Sequence, residues 1–263
     1  MELEDHKGRY TNQSLVRGLM ILEQFYISQS SLGISELSKL TGLHKSTVHR
    51  LVATLEEIQW LHRTEGDKFQ IAIKPIVLGR KAAQQVASLT ITHDFLRELR
   101  DRLQETVVLT MIVENEIICV DKANSHQSLN CSSEIGKVYP CHAGATGFGV
   151  LLGMDEFEAR SFLEKKPLER YTDHTITDID ALMLRYRKER SQGYTIASGQ
   201  KDSGITGIAM PLWFPAEKTY GSLGVLTPDY RITEETKENI IAELKKCVDK
   251  IRMYLTPALS SLD

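Results

Sequence analysis

Residues 34–60 read ISELSKLTGLHKSTVHRLVATLEEIQW, a pattern that predicts two helices joined by a tight turn. Ser35 is placed to cap a short first helix ending at Leu40, because a hydroxyl can accept one of the amides left free at a helix start. Thr41, Gly42 and Leu43 supply the turn, with Gly42 free to take a positive φ. In the second helix Val48, Leu51, Val52, Leu55 and Ile58 recur at spacings of three and four, so one apolar face must pack inward. Ser46, His49, Arg50 and Ala53 fall on the other face, near the helix end that a helix-turn-helix pushes into the major groove. Lys39, Lys45 and Arg50 lie between Glu36 and Glu56 with no acidic residue among them. This surface therefore attracts phosphate, although the whole chain carries a net charge of −3. An ordinary helical hairpin with a solvated face shares the same periodicity, so the flanking sequence has to separate the two readings.

Upstream, residues 12–28 predict a helix with two apolar stripes. Leu15, Leu19, Leu22, Phe25 and Tyr26 form one, expected to pack on the hairpin. Val16 and Met20 form the other, directed either to a neighbouring subunit or into the same core. Downstream, Trp60 to Arg63 and Phe69 to Ile71 flank a polar turn and predict a two-stranded wing. Arg63 and Lys68 then sit where a winged helix touches backbone phosphate, though either is equally placed to be a solvated surface charge. Pro75 suits the first turn of a further helix, and the composition through Ala87 predicts a stiff helical linker that transmits orientation.

The chain has 263 residues, 41% of them hydrophobic, enough for one large domain or two smaller ones with real cores. No apolar run approaches the ~20 residues of a membrane span, and MELEDHKGRY is charged where a signal peptide needs an apolar segment, so a cytoplasmic location is expected. Cys119, Cys131, Cys141 and Cys247 show no CxxC spacing; reduced, mostly buried thiols are expected, with no metal site and no cofactor.

From residue 90 the pattern changes. A helix carrying Phe95, Leu96, Leu99 and Leu103 precedes a β-hairpin built from Thr106 to Val113 and Ile117 to Val120. Leu129 to Ser132 is a candidate further strand. CHAGATGFGVLLG from Cys141 begins a helix, two more follow at 155–165 and 178–192, and strands recur at 194–198, 205–212 and 222–226. A closing helix buries Ile240, Ile241, Leu244, Cys247, Val248, Ile251 and Leu255. The sum is α+β: an antiparallel sheet covered by helices, separate from the DNA-binding unit. Expected boundaries are 1–74 for a winged helix-turn-helix, 75–89 for the linker and 90–263 for the sensor domain.

The blocks SLVRGLMILE, ISELSKLTGLHKSTVHRLVATLEE, GKVYPCHAGATGFGVLL, HTITDIDAL, RSQGYTIASGQKDSGITGIAMPL and GSLGVLTPDYRIT together resemble the IclR family of bacterial transcriptional regulators, from about Ser14 to Leu255. The resemblance implies a winged helix-turn-helix, a linker helix and a GAF-like effector domain. It also implies dimers or tetramers on palindromic double-stranded operators, and small effectors that are often carboxylic acids. It places DNA contacts at Ser35, Lys45, Ser46, Thr47, His49, Arg50, Arg63 and Lys68. Effector contacts fall at Leu129, Cys131, His142, Ala143, Gly144, Ala145 and Thr146, and on the strands at Ala197, Ile205, Gly207 and Ala209. At the start of the helix, free amides favour an anion. The chain departs from the family pattern at Ala197, where many members have an acidic residue, and at Gly207, where many have a cysteine. The change at Gly207 predicts extra room for a sugar acid or an aromatic acid, with Ser198, Gln200, Ser203 and Thr206 close by in sequence as candidate neutral partners.

Two other classes compete. Gly144, Gly147 and Gly149 spell GxxGxG, which reverses the dinucleotide fingerprint and lacks a βαβ frame. Cys141 beside His142 is not evidence of a nucleophilic dyad, since sequence neighbours generally point apart. His174 reads as a surface or capping residue. A metabolite sensor that does not bind DNA is the remaining rival, and the intact run Lys45 to Arg50 followed by a basic wing argues against it.

Overall fold

The computed structural model describes residues 12–28, 30–127, 131 and 133–255. The chain divides into two compact units that meet between Gln85 and Val86.

In the first unit α1 (Gln13–Ser28), α2 (Ile34–Thr41) and α3 (Lys45–Glu57) enclose a core containing Ile21, Phe25, Leu37, Val48, Val52 and Leu61. Strands β1 (Leu32–Gly33), β2 (Leu61–Arg63) and β3 (Lys68–Ile71) pair antiparallel in the order β1-β3-β2, and α4 (Ile73–Gln85) follows. Gly42 ends α2 with φ 70°, as the turn requires. The start of α2 differs from expectation. Gly33 pairs with Lys68 across β1 and β3, so Gly33 and not Ser35 is the N-cap, and the Glu36 carboxylate accepts the Gly33 amide at 2.7 Å. That hydrogen bond, followed by the Lys68 ammonium, holds Glu36 below the usual carboxylate range.

The stripes of α1 are also rotated from their expected phase. Ile21, Phe25 and Met20 are buried, while Leu15 is 62% and Leu19 47% exposed. Ile21, which belongs to neither expected stripe, lies at the centre of the buried face. Ile58 lies beyond α3 as its C-cap and is exposed. The linker helix is interrupted: α4 ends at Gln85, Val86 is extended (φ −83°, ψ 94°), and α5 (Ala87–Leu103) starts afresh.

The second unit is built on a six-stranded antiparallel sheet, ordered β6-β5-β4-β9-β8-β7. Its strands are β4 (Thr106–Val113), β5 (Glu116–Ala123), β6 (Val138–Tyr139), β7 (Thr195–Ser198), β8 (Ile205–Phe214) and β9 (Thr219–Pro228). Alternation along the strands sends Val107, Leu109, Ile208 and Val225 to one face. There α5 and α9 (Glu234–Leu255) cover them with Leu96, Leu99, Leu244, Val248 and Ile251. Val108 and Leu226 go to the other face, under α6 (Ala145–Leu151), α7 (Glu156–Glu164) and α8 (Ile179–Gln192). This is the α+β architecture the sequence predicts. The edge strand is β6, however; Cys131 belongs to no strand, and Leu129 lies outside the described residues.

Helix α6 lies unusually close to the sheet because both partners are small there. A Cβ at Gly147 would fall 2.0 Å from the Pro140 carbonyl oxygen, one at Gly149 3.0 Å from Ala209 Cβ, and one at Gly224 2.5 Å from Thr146 Cγ2. The Ser222 hydroxyl donates to the Thr146 carbonyl at 2.7 Å and meets Thr110 Oγ1 at 2.9 Å, so the buried polar groups at this contact are paired. Because the Pro140 obstacle is backbone, Gly147→Ala is expected to destabilise the second unit by roughly 3 kcal/mol or more, measured by urea unfolding. Wild-type stability in that variant would mean that α6 can shift away from the Pro140 backbone freely.

Candidate DNA-reading surface and effector cavity

The reading face is set by where α3 begins. His44 is its N-cap in extended backbone, and its Nδ1 accepts the Ser46 amide at 3.4 Å and lies 2.8 Å from the Ser46 hydroxyl. The Ser46 side chain is thus tied to the cap, and His44 is a residue at this end that the sequence reading missed. Lys45, Ser46, His49, Arg50 and Ala53 are exposed, Thr47 is half-buried, and Val48, Val52 and Leu55 hold the opposite face in the core. Ser35 is exposed on α2.

Both wing cations have internal partners. The Arg63 guanidinium lies 3.0 Å from Asp67 and 3.6 Å from Glu56, and covers the Phe69 ring at 5.1 Å; the Lys68 ammonium lies 3.4 Å from Glu36. Exposed pairs of this kind contribute about 0–1 kcal/mol, so either cation can be redirected to a phosphate at little loss.

In the second unit, a cavity of about 30 Å³ opens between the start of α6, β8 and the loop that joins β7 to β8. Gly144, Ala145, Thr146, Ala197, Ile205 and Gly207 line it, as expected, and Tyr139, Gln200, Lys201, Asp202 and Leu226 complete the wall. The other expected residues lie elsewhere. His142 is buried with Nε2 donating to the Glu169 carbonyl at 2.8 Å and its ring against Tyr171, so its polar edge is already taken. Ala143, Cys131 and Ala209 are buried and are not part of the cavity wall. The expected space at Gly207 is also filled: a Cβ there would meet Ala145 Cβ at 3.0 Å and Leu226 Cδ2 at 3.3 Å.

The polar wall is carried by the loop 199–204, and that loop is pinned from outside. Thr172 Oγ1 donates to the Gly199 carbonyl and Thr175 Oγ1 to the Gln200 carbonyl, each at 2.6 Å. The HTIT segment therefore acts through its flanking threonine and its first threonine, while His174 is exposed. Lys201 has little exposed side chain; its ammonium lies 3.3 Å from Asp202 and 5.7 Å from the Tyr139 ring centroid. Gln200 Oε1 accepts from Arg185 at 2.8 Å. Nothing periodic marks GQKDSG in the sequence, and Arg185 with Glu189 four residues on reads as an ordinary surface pair. The signal that was available is a run of polar residues held between two glycines.

The thiols do not form a nucleophilic site. Burial pushes Cys119, Cys131 and Cys141 up to about 11 and Cys247 up to about 12, so all four are protonated at neutral pH. Among the described residues no group of three or more His, Cys, Asp or Glu side chains is placed to hold a metal ion, and no helix is long and apolar enough to cross a membrane.

Residues 14–65 match the IclR helix-turn-helix domain, and residues 81–253 match the bacterial transcriptional regulator IclR C-terminal domain. The HTH-type transcriptional regulator KdgR of Escherichia coli (strain K12) is 29% identical over 237 residues, covering 88% of this chain and 90% of the relative. An IclR transcriptional regulator from Alicyclobacillus acidocaldarius shares the fold with a TM-score of 0.84 at 22% identity, over 94% of this chain and 100% of that one. An IclR homolog from Microbacterium hydrocarbonoxydans, solved in complex with 4-hydroxybenzoate, has a TM-score of 0.76 at 22% identity, over 92% and 99% of the two chains. Two matching domains in the family order, carried by the helix-turn-helix and the helix-covered sheet described above, lead to one conclusion: the chain belongs to the IclR family of bacterial transcriptional regulators, which are not enzymes.

Proposed function

We propose that this protein reads an inverted-repeat operator as a dimer or tetramer in the cytoplasm and responds to a small hydroxylated carboxylic acid. In this reading residues up to about 74 bind DNA, 75–89 connect, and the chain from 90 onward binds the effector. The observation that carries the DNA reading is the exposed run Lys45, Ser46, His49 and Arg50 on α3, with no acidic residue between Glu36 and Glu56 to repel phosphate. Arg50 is the longest donor on that face and is suited to a paired hydrogen bond with a guanine edge; Lys45 meets backbone phosphate. Arg63 and Lys68 exchange their exposed carboxylate partners for phosphates of the same site.

Self-association is supported by apolar surface on the first unit. Leu15 and Leu19, one turn apart on α1, and Ile73, Ile76, Val77 and Leu78 at the start of α4 are all exposed, apolar side chains that a second copy of the chain can cover. A two-fold dimer presents two reading helices to half-sites about one helical turn or a multiple apart.

The cavity residues Thr146, Gln200, Lys201 and Asp202 favour a ligand with a carboxylate and hydroxyl groups, so a sugar acid fits better than an aromatic acid. At about 30 Å³ the cavity has room for about two water molecules, so such an acid has to widen it. The wall that can give is the Lys201 side chain folded over Tyr139, not the Gly207 position, where neighbours already touch.

Operator selection from a random duplex pool, followed by binding assays, tests the DNA reading. The selected sites are expected to be inverted repeats, and Arg50→Ala to lose roughly 1–3 kcal/mol of specific binding with relaxed preference at one position. Lys45→Ala is expected to weaken all sequences alike. Unchanged affinity and preference in Arg50→Ala would place the reading face elsewhere. For self-association, the Leu15→Glu and Leu19→Glu double variant is expected to keep its helical circular dichroism yet bind the operator at least roughly tenfold more weakly; undiminished operator binding would exclude α1 from the dimer contact.

A further inference from the structure

The side-chain amide of Gln200 has two ends of opposite character, and the Arg185 contact decides which one is already taken. Arg185 is largely buried on α8, its side chain 11% exposed, and is fixed on every side. Its guanidinium pairs with Glu189 at 3.0 Å, donates to Thr195 Oγ1 at 2.7 Å and to the Ile196 carbonyl at 3.0 Å, and stacks 4.2 Å from the Phe148 ring centroid. Its remaining bond goes to Gln200 Oε1 at 2.8 Å. A guanidinium has donors and no acceptor, so the amide cannot be flipped at this contact: the oxygen must face Arg185. The NH₂ group is the end left to meet another acceptor, and Gln200 is part of the cavity wall. Beside it, the Lys201 ammonium is held at the same wall by the exposed carboxylate of Asp202, a partner that a ligand anion can replace.

We infer that the carboxylate of the effector is bound by the Lys201 ammonium together with the Gln200 side-chain NH₂, which Arg185 turns donor-first into the cavity. Asp202, freed from Lys201, then accepts a ligand hydroxyl. Arg185 is a positioning residue: it touches Gln200 and not the ligand. This assignment rests on the reading of the cavity as the effector site and adds which side chains select an acid over its neutral analogue. It also moves anion recognition away from the amides of α6, a helix of seven residues whose first residue, Ala145, is 1% exposed.

The test is calorimetric titration of the full chain with sodium D-gluconate, sodium D-galacturonate and sodium 4-hydroxybenzoate, with D-gluconamide as the neutral analogue. At least one sugar acid is expected to bind saturably. Lys201→Met is expected to weaken that acid roughly tenfold or more, the scale of a lost charge-assisted hydrogen bond. Gln200→Glu keeps the Arg185 contact and presents an acceptor where there was a donor, so the preference is expected to invert from gluconate to gluconamide, an effect that mere loosening of the loop does not produce. Arg185→Lys is expected to lower the acid-over-amide ratio, and a Gln200→Leu change added to it to lower the ratio no further; if Arg185→Lys fails to fold, Lys201→Met and Gln200→Glu carry the test. Binding of an acid that stays within about twofold in Lys201→Met and keeps its preference in Gln200→Glu overturns this assignment and leaves the cavity as the effector site. If none of the acids binds the wild-type chain up to ~10 mM, the effector reading itself fails, and this inference with it.

Discussion

The second unit depends on how closely α6 can approach β8 and β9. Gly149, Gly207, Ala209 and Gly224 remove side-chain bulk from both surfaces, Gly147 does the same toward the Pro140 backbone, and the gap that remains is narrow enough for Ser222 to donate directly to the backbone carbonyl of Thr146. Close packing of this kind tolerates little change in volume. It also fixes the start of α6, and so one wall of the cavity, relative to the strands that carry Ala197, Ile205 and Gly207. The opposite wall is pinned by a different means, two threonine hydroxyls on loop carbonyls. One wall is therefore held by shape and the other by hydrogen bonds. A ligand that widens the cavity acts against whichever is cheaper to alter, which is the long Lys201 side chain between them.

This close contact explains why the glycines around residue 147 resemble a damaged nucleotide fingerprint. They answer a packing demand, and nothing local distinguishes that from a phosphate loop until the facing strands are known. By contrast, β4, β5 and the α2–α3 turn were legible almost to the residue. The β-rich composition, the polar turn at Glu114 and Asn115, and the need for a left-handed residue at Gly42 are all local, although β5 runs on to Ala123, beyond its expected end at Val120. The errors on α1 and at the α2 start have a shared cause. Apolar residues occur on several sides of α1, so its buried phase is chosen by α3 and the wing. Gly33 becomes the cap because Lys68, distant in sequence, pairs with it. Local pattern predicts that an element exists better than it predicts which face is buried.

The expected effector positions that line the cavity, Gly144 to Thr146, Ala197, Ile205 and Gly207, are at the helix start or on the strands. His142 and Ala143, which precede α6, turn into the core, where the His142 imidazole donates to a backbone carbonyl, and Ala209 is buried on β8. Of the polar wall, Gln200 was expected only as a neutral partner and Lys201 and Asp202 were not expected, because their meaning is tertiary. Gln200 is a generic loop residue until Arg185 is seen to hold its oxygen, and Arg185 resembles a solvated helix residue until Phe148 is seen beneath it.

The two candidate sites use charge in opposite ways, and the difference follows from solvent. On the wing, Arg63 and Lys68 sit in exposed pairs whose attraction is screened, so their partners restrain them weakly and they can follow a DNA backbone whose position varies. Around the cavity the cations Lys201 and Arg185 are withdrawn from water. There a guanidinium with four separate partners has little freedom, and its electrostatic preference for an oxygen is stronger than it would be at the surface. A mobile cation suits a polyanion that is recognised mainly by its charge. A fixed donor suits a small ligand that has to be told apart from a neutral analogue of nearly the same shape, because such discrimination comes from burying a polar group that the wrong ligand leaves unpaired.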